Sequence, residues 1–584
     1  MRQSAPAMIP RFLSHATTRR DAWLLFGFAL VVLATGMGLR DPWPADEPRF
    51  ALVAKQMWDS GNFLIPHRGL EPYSDKPPVF MWLQLAGYAL TGSWRLAFLL
   101  PSLLAALGTL ALVYDLSRRV WSARAAWWAT ALLLLTLHFT YQAKKAQIDP
   151  TLVFWVTLSA YGLLRHLLKG PAWGWYWLGW FAAGLGTITK GVGAIALLAL
   201  LPYLWARWRG WRGLATGIGG WRGLVAPLFL VAALSIWLLP MWLATYGSGD
   251  PALRAYADDI LFRQTAKRYA DPWHHVKPAW YYLGVMLPMW MPLNFAWPWA
   301  FGAWWRRLRW RRDARFLIPL AWAAIVVLLF SSSPGKRDVY ILPALPMLAF
   351  ASAPLLPGIV RRRGFQILCF ALAALLALGS MVAGLAALVG EPRFEVAQEA
   401  ARGLDPAADS GWWMLLVVGA IGVVGLVAFR PHRGLAALAT MLAAIWILAF
   451  GLWGYPLIND ANSARGVMER ARALAGPGTE LGLVAWKEQN LLHAVPPVTE
   501  FGFLRGWGEQ RVAGLAWMAQ APDTRRLFVL EEAMGPCVER ERAQAVGVSN
   551  RRTWWLVGSD ALVPGCHDEG GGAEQGDKAR RERE

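Results

Sequence analysis

Charge is scarce in this chain. Only 16% of its 584 residues are Asp, Glu, Lys or Arg, where a soluble protein of that length carries about 25%. Cysteine is scarcer still, at three. There is no CxxC pair, no HExxH and no cluster of His and Cys, so a structural metal site has no support. No Walker loop, no working GxSxG elbow and no strand–turn–helix unit with a Gly-rich turn occurs, which removes the usual pockets for nucleotides. No internal repeat is evident. The first apolar block lacks a small-residue cleavage site and many such blocks follow it, which argues against a cleaved signal peptide.

What is present is apolar: 56% of the residues are hydrophobic and the mean hydropathy is +0.33. The excess falls in blocks near the ~20 residues that cross a bilayer core as a helix. Thirteen spans are predicted, roughly at 23–39, 94–114, 125–142, 150–167, 172–189, 191–205, 224–245, 278–302, 316–332, 338–357, 365–389, 412–429 and 434–455. Spans five and six meet at Thr189-Lys190-Gly191 and read as a hairpin or a broken pair. Pro77–Thr91 is too short to cross and suits an interfacial or re-entrant helix. The 37 Trp residues, often near block ends, fit interfacial aromatic belts.

The net charge of +20 is a topology signal. With a cytoplasmic N-terminus, the seven inside loops hold 24 Lys or Arg against three acids, Asp21, Asp115 and Asp313. The outside loop 40–78 holds five basic and six acidic residues. That asymmetry sets the orientation by the positive-inside rule, and it leaves no case for nucleic acid as a partner. The partner composition demands is a lipid bilayer. Residues 1–455 thus form a transmembrane domain whose first outside loop, 40–93, carries the main motif. Residues 456–567 read as a small outside α/β domain, with strand-like stretches at Leu481–Trp486, Arg526–Leu530 and Thr553–Val557. The polar tail 568–584 reads as disordered. Cys537 and Cys566 share that domain; spacing alone leaves open whether they pair.

Ionisable groups at membrane depth are costly and mark function by default. Asp46-Glu47-Pro48-Arg49 follows the first span. Its bland reading is an N-cap with Pro in the first turn of a helix, yet such a helix start can also hold a phosphate. Tyr73-Ser74-Asp75-Lys76-Pro77-Pro78 holds Lys76 between stiff proline units. Asp149 opens span four, Lys190 ends span five, and Ser333-Pro334-Gly335-Lys336 leads to Tyr340-Ile341-Leu342-Pro343. A single Lys could merely snorkel, but four outside loops here carry both acids and cations to one face.

These runs resemble the DEPRY … GDW … YF(E/D)KPP pattern of the aminoarabinose (4-amino-4-deoxy-L-arabinose) lipid A transferases, relatives of the protein O-mannosyltransferases. The likeness extends through Ile188-Thr189-Lys190-Gly191 and Gly335-Lys336 to Pro343, covering about residues 20–360. Departures are small: Phe50 where Tyr is usual, Asp75 where Glu is common, and the added Pro334. The resemblance implies a GT-C fold, a polyprenyl-phosphate sugar donor and transfer on the periplasmic side. It implies Asp46 and Asp149 as the catalytic acids. Glu47, Arg49, Tyr73, Asp75, Lys76, Lys190, Lys336 and Tyr340 become the substrate-binding set. Expected, then, is an inverting glycosyltransferase acting on a lipid or glycan acceptor, lipid A foremost. Protein Ser/Thr as acceptor, or a lipid transporter, are the alternatives. No cofactor is called for, and a divalent ion near the carboxylates is left open.

A reporter active only in the periplasm should be active when fused after Tyr455 and silent after Arg312. The reverse pattern would invert the topology.

Overall fold

The computed structural model describes residues 18–262, 276–390, 409–568 and 570, and it is mainly helical. Helix α1 (Arg19–Ala34) starts at a capping box: the Thr18 hydroxyl accepts from the Asp21 N–H, and the Asp21 carboxylate accepts from the Thr18 N–H. A long loop follows. It contains α2 (Glu47–Ser60), the hairpin strands β1 (His67–Arg68) and β2 (Glu71–Pro72), and α3 (Val79–Thr91). Pro48 stands in the first turn of α2, and Gly61 ends it at φ +70°, a backbone state that only Gly adopts freely.

The bundle continues with α4 (Leu100–Val120), α5 (Ile148–Lys169), α6 (Trp173–Lys190), α7 (Ala226–Gly247), α8 (Ala314–Ser332), α9 (Arg363–Val389), α10 (Ser410–Phe429) and α11 (Gly434–Ala444). Among the described residues, seven helical stretches are long and apolar enough to cross a membrane by length and composition. They are Trp94–Val120, Ile148–Lys169, Trp221–Gly247, Ala314–Ser332, Arg363–Val389, Ser410–Phe429 and Pro431–Leu452. The other predicted spans are shorter or broken. Residues 278–302 split into helices Tyr281–Met289 and Trp297–Arg309 around a 3-10 turn, where Pro288 and Pro292 supply no backbone N–H. Residues 338–357 split similarly at Pro343 and Pro354.

Leu228, Leu375, Val424 and Val427 lie about two-thirds exposed on their helices, an outward apolar surface that calls for lipid rather than water. The chain is a multi-pass membrane protein. Within it α5 is central: 78% of its most apolar window is buried, against 22% in α9. Spans five and six form a hairpin. Lys190 ends α6, Gly191 turns the chain at φ +83°, and a 3-10 segment Gly193–Ala199 folds back against α6. Gly193 lies directly on the Gly186 backbone, where a Cβ would collide.

The C-terminal region builds a five-stranded sheet from β3 (Glu480–Val484), β4 (Val498–Glu500), β5 (Arg525–Leu530), β6 (Gln544–Ser549) and β7 (Arg552–Val557), in the order β4-β3-β5-β7-β6. β3 runs parallel to β4 and β5, and β7 is antiparallel to β5 and β6. Three of these strands coincide with the apolar stretches predicted. β4 is only three residues long and β6 is half exposed, so neither carries a strong pattern. Helices α12 (Arg465–Ala475), α13 (Glu488–His493) and α14 (Trp507–Ala519) accompany the sheet. Their apolar core is continuous with Ala51 and Leu52 of α2, with Phe98 and Leu99, and with Ala146. The sheet region is therefore seated on the motif-bearing end of the bundle.

Cys537 and Cys566 form a disulfide, which closes the question their spacing left open. Asp568 pairs with the buried Arg511, Nη2 to Oδ1 at 2.8 Å. Apart from Asp568 and Gly570, the stretch read as a disordered tail lies outside the described residues. The disulfide closes a loop of 29 residues. On loop-closure entropy alone, Cys566→Ser should cost the sheet region about 3 kcal/mol. Thermal unfolding of the oxidised protein should show this as a lower Tm, and reductant should erase the difference from wild type. A wild type indifferent to reductant would refute the assignment.

Candidate functional site

The loop that follows α1 is built around Glu47. Its carboxylate receives both terminal nitrogens of Arg40, one of them at 2.7 Å, and the N–H groups of Trp43 and Ala146, each at 2.9 Å. Both side chains are almost fully buried. Arg40 also lies 4.8 Å from the Trp43 ring and 4.9 Å from that of Tyr455. Glu47 thus ties the start of α2 to the loop before α5. Expected as a substrate contact, it is placed as a brace with its acceptor sites filled. Lys144 strengthens the same junction: its Nζ donates to the carbonyls of Val32 and Thr35, at 3.0 and 2.7 Å, at the end of α1. Burial, with Arg40 nearby, pulls this amine down to about 7.

The brace sets Asp46 beside the start of α5. Asp46 occupies the N-cap position of α2 without making a capping bond; its carboxylate points instead to other loops. Arg337 Nη2 donates to it at 2.9 Å, Gln147 Nε2 lies at 3.4 Å, and Arg49 Nη1 stands 3.7 Å away. Burial alone would raise this carboxyl, but the charges of Arg337 and Arg49 outweigh it and hold the group below the usual carboxylate range. Asp149, buried in the first turn of α5, pairs with Lys190 at the end of α6. Lys190 Nζ in turn lies 5.2 Å from the Tyr340 ring. Asp46, Arg49, Asp149, Lys190 and Tyr340 are therefore gathered at one end of the bundle.

The remaining predicted residues are nearby but differently engaged. Tyr73 is fully buried, and its hydroxyl has no hydrogen-bond partner among the described residues; burial raises its pKa well above the usual phenol value. Asp75 lies 3.7 Å from Arg68, and Lys76 Nζ donates to the Asp75 carbonyl at 2.7 Å. Lys336 departs from expectation: it is buried, and its amine serves the carbonyls of Ser333 and Lys277, the latter at 2.9 Å. Its neighbour Arg337 takes the position facing Asp46.

Two clefts flank this cluster. One, of about 540 Å³, is lined by Gly191, Ile195, Leu198, Leu329, Phe330 and Ser333, directly after Lys190. The other, of about 740 Å³, is lined by Ser74, Tyr256, Asp258, Asp259, Phe262 and Leu504. In α3, Val79, Phe80, Met81 and Leu85 are buried against neighbouring elements. Among the described residues no three His, Cys, Asp or Glu side chains converge as a ligand set. Asp46 and Asp149 are each paired with a cation.

Sequence reading missed Arg337, Gln147, Arg40 and Glu488. Arg337 adjoins Lys336 and Gln147 lies two residues before Asp149, so their motifs were a sufficient signal. Glu488, whose Oε1 accepts from Arg49 Nε at 3.0 Å, sits 439 residues away in α13 and carries no local signal.

The family model for dolichyl-phosphate-mannose-protein mannosyltransferase matches residues 75–237. The undecaprenyl phosphate-alpha-4-amino-4-deoxy-L-arabinose arabinosyl transferase of Edwardsiella ictaluri is 30% identical over 501 residues, covering 82% of this chain and 81% of that protein. The protein of the same name from Pseudomonas savastanoi pv. phaseolicola is 31% identical over 345 residues, and there the match spans 58% of this chain and 61% of the relative. Among solved structures, that of ArnT from Cupriavidus metallidurans bound to undecaprenyl phosphate superposes with a TM-score of 0.70 at 20% identity. It covers 94% of this chain and 100% of that one. At that identity it speaks for the fold.

Breaking the brace should be costly. Glu47→Gln leaves Arg40 buried without its counter-charge, a loss of about 3–5 kcal/mol. Thermal unfolding in detergent should show a large drop that Arg40→Gln, added in the same chain, partly restores. An unchanged Tm for Glu47→Gln would refute the role.

Proposed function

The chain belongs to the family of undecaprenyl phosphate-alpha-4-amino-4-deoxy-L-arabinose arabinosyl transferases, and from that premise we propose that it transfers 4-amino-4-deoxy-L-arabinose, or a similar sugar, from a polyprenyl-phosphate donor to lipid A. The observation that carries this reading is the meeting of Asp46, Arg49, Arg337, Asp149 and Lys190, from four separate segments, beside an apolar cleft at one end of a membrane bundle.

In the proposed reaction an acceptor oxygen attacks the anomeric carbon. The bond from that carbon to the donor phosphate breaks, and the phosphate leaves with the electron pair. Positive charge gathers on the sugar and negative charge on the phosphate oxygens. Preorganised cations stabilise the latter, the term that usually contributes most. Arg49, Arg337 and Lys190 take this role, with Lys76 and the unpartnered Tyr73 hydroxyl as neutral or cationic donors around the same phosphate. Lys336 is the weaker candidate because carbonyls already occupy its amine. The first prenyl units would lie in the cleft beside Lys190. A single displacement inverts the anomeric centre.

Asp46 is held ionised by its arginines. A carboxylate so stabilised is a poor base for an ordinary hydroxyl and a good fixed negative charge for the sugar cation or its amine. That favours an acceptor already anionic, such as a lipid A phosphate, over a Ser or Thr hydroxyl. Asp149, paired with Lys190, takes the second acidic role, holding that amine toward the phosphate. The charge bias of the loops favours the inner membrane, with the site and the sheet region on the periplasmic side.

Asp46→Asn should reduce transfer by at least about a hundredfold, the scale of losing one preorganised electrostatic group, with expression and Tm retained. Purified protein supplied with extracted membrane lipids should turn over the polyprenyl-phosphate sugar and ignore the matching nucleotide sugar. Efficient turnover with the nucleotide sugar alone would sink the reading.

A further inference from the structure

The first loop is organised from within by Glu47 and from outside by the sheet region. Besides Asp41, which receives Arg465 of α12, three carboxylates make the outer junction. Glu500 Oε1 accepts from the Leu70 N–H at 2.7 Å, and the Glu71 carboxylate accepts from the Leu504 N–H at 3.1 Å. Glu488 is different in kind, because it binds side-chain cations instead of backbone. It is 5% exposed, accepts from Arg49 Nε at 3.0 Å and lies 3.5 Å from Arg68 Nη1. Arg68 has further support from Asp75 at 3.7 Å and from the face of Phe503 at 4.0 Å. Arg49 has the weaker reserve, a carboxylate at the same 3.7 Å but, among the described residues, no aromatic face like that of Phe503. Its bond to Glu488 is the one side-chain hydrogen bond it makes among the described residues; of its other acidic neighbours, Asp46 stands beyond hydrogen-bond reach at 3.7 Å and Asp75 acts on it through charge.

Those distances have a chemical meaning. A guanidinium has five donors in a rigid fork. Held by Nε, it keeps the terminal nitrogen on the opposite edge, Nη1, turned toward the Asp46 side. Without an anchor it would close the gap to Asp46, form a paired fork there and be lost to any incoming anion. We propose that Glu488 is a positioning residue for the donor phosphate: fixed in α13, it holds Arg49 off Asp46 so that the arginine's Nη1 remains available to the phosphate. This rests on the polyprenyl-phosphate reading above. It makes the sheet region part of the active site through a side chain that does not itself touch substrate.

The test uses the full-length protein in lipid nanodiscs, with Glu488→Gln, Glu488→Asp, Arg49→Gln, the Glu488→Gln/Arg49→Gln double variant and Glu71→Gln. Donor KM, kcat and Tm are measured, together with the affinity for undecaprenyl phosphate alone. Glu488→Gln, nearly isosteric, should raise the donor KM and weaken undecaprenyl phosphate about tenfold, a change of about 1.4 kcal/mol. Glu488→Asp should recover part of this. The double variant should bind no worse than Arg49→Gln, because the carboxylate acts only through that arginine. Glu71→Gln, which replaces the charged acceptor of a docking bond with a weaker neutral one without touching Arg49, should lower Tm slightly and leave donor KM unchanged. A wild-type KM in Glu488→Gln, additive losses in the double variant, or a KM effect in Glu71→Gln equal to that of Glu488→Gln would each overturn the proposal. A wild-type chain with no affinity for undecaprenyl phosphate would instead overturn the donor reading, and the proposal with it.

Discussion

The ion pair between Arg40 and Glu47 is the contact on which the site depends. Two charges removed from water cost several kcal/mol each unless the geometry returns it. Here the carboxylate is satisfied by both arginine nitrogens and two backbone N–H groups. The pair spans seven residues, but the Ala146 N–H that Glu47 also accepts lies 99 residues on, so the starts of α2 and α5 cannot move independently. Asp46 and Asp149 are the residues those starts carry. Their separation is therefore set by a brace that itself has no acceptor sites left for a ligand.

Around that brace, charge is matched almost group for group. Asp46 faces Arg337 and Arg49, Asp149 faces Lys190, and Asp41, fully buried, receives Arg95 and Arg465. Burial opposes ionisation of Asp41, yet hydrogen bonds from Arg465, Arg95 and Asn459 hold it well below the usual range. In a membrane bundle an unmatched ion would be prohibitive. The pairing lets many ionisable groups sit close together in a resting state, and an arriving phosphate needs only to exchange partners, not to neutralise a bare charge.

Much of this was legible in the sequence, for two physical reasons. The bilayer demands long apolar runs and biased loop charge, so the membrane class and the loops that gather these charges could be read directly. The acids and cations of the loops are local, and their motifs mark Asp46, Arg49, Asp149 and Lys190 as a set. Direction of side chains was not legible. Glu47 and Lys336 look like ligands in one dimension, but backbone donors and carbonyls claim them in three. Arg337 was hidden by its more conspicuous neighbour. Glu488 lay beyond reach because its meaning exists only once α13 is laid against α2. The breaks at Pro288, Pro292 and Pro343 were likewise visible as residues, while the shortening they impose on the spans was not.

The distances along the chain have a consequence for how the protein comes into being. Arg40 and Glu47 are seven residues apart and can meet as soon as the first loop leaves the ribosome. Asp41 must wait for Asn459 and Arg465, and Arg49 for Glu488, each more than 400 residues later. Synthesis proceeds at roughly 5–20 residues per second, so for some tens of seconds the nascent chain holds a braced but unfinished loop. An early-terminated product that lacks the sheet region retains every motif of the first loop and none of its outer supports. Completion of the site is in this sense a proofreading of length: only a chain translated almost to its end can align the arginine that its beginning encodes.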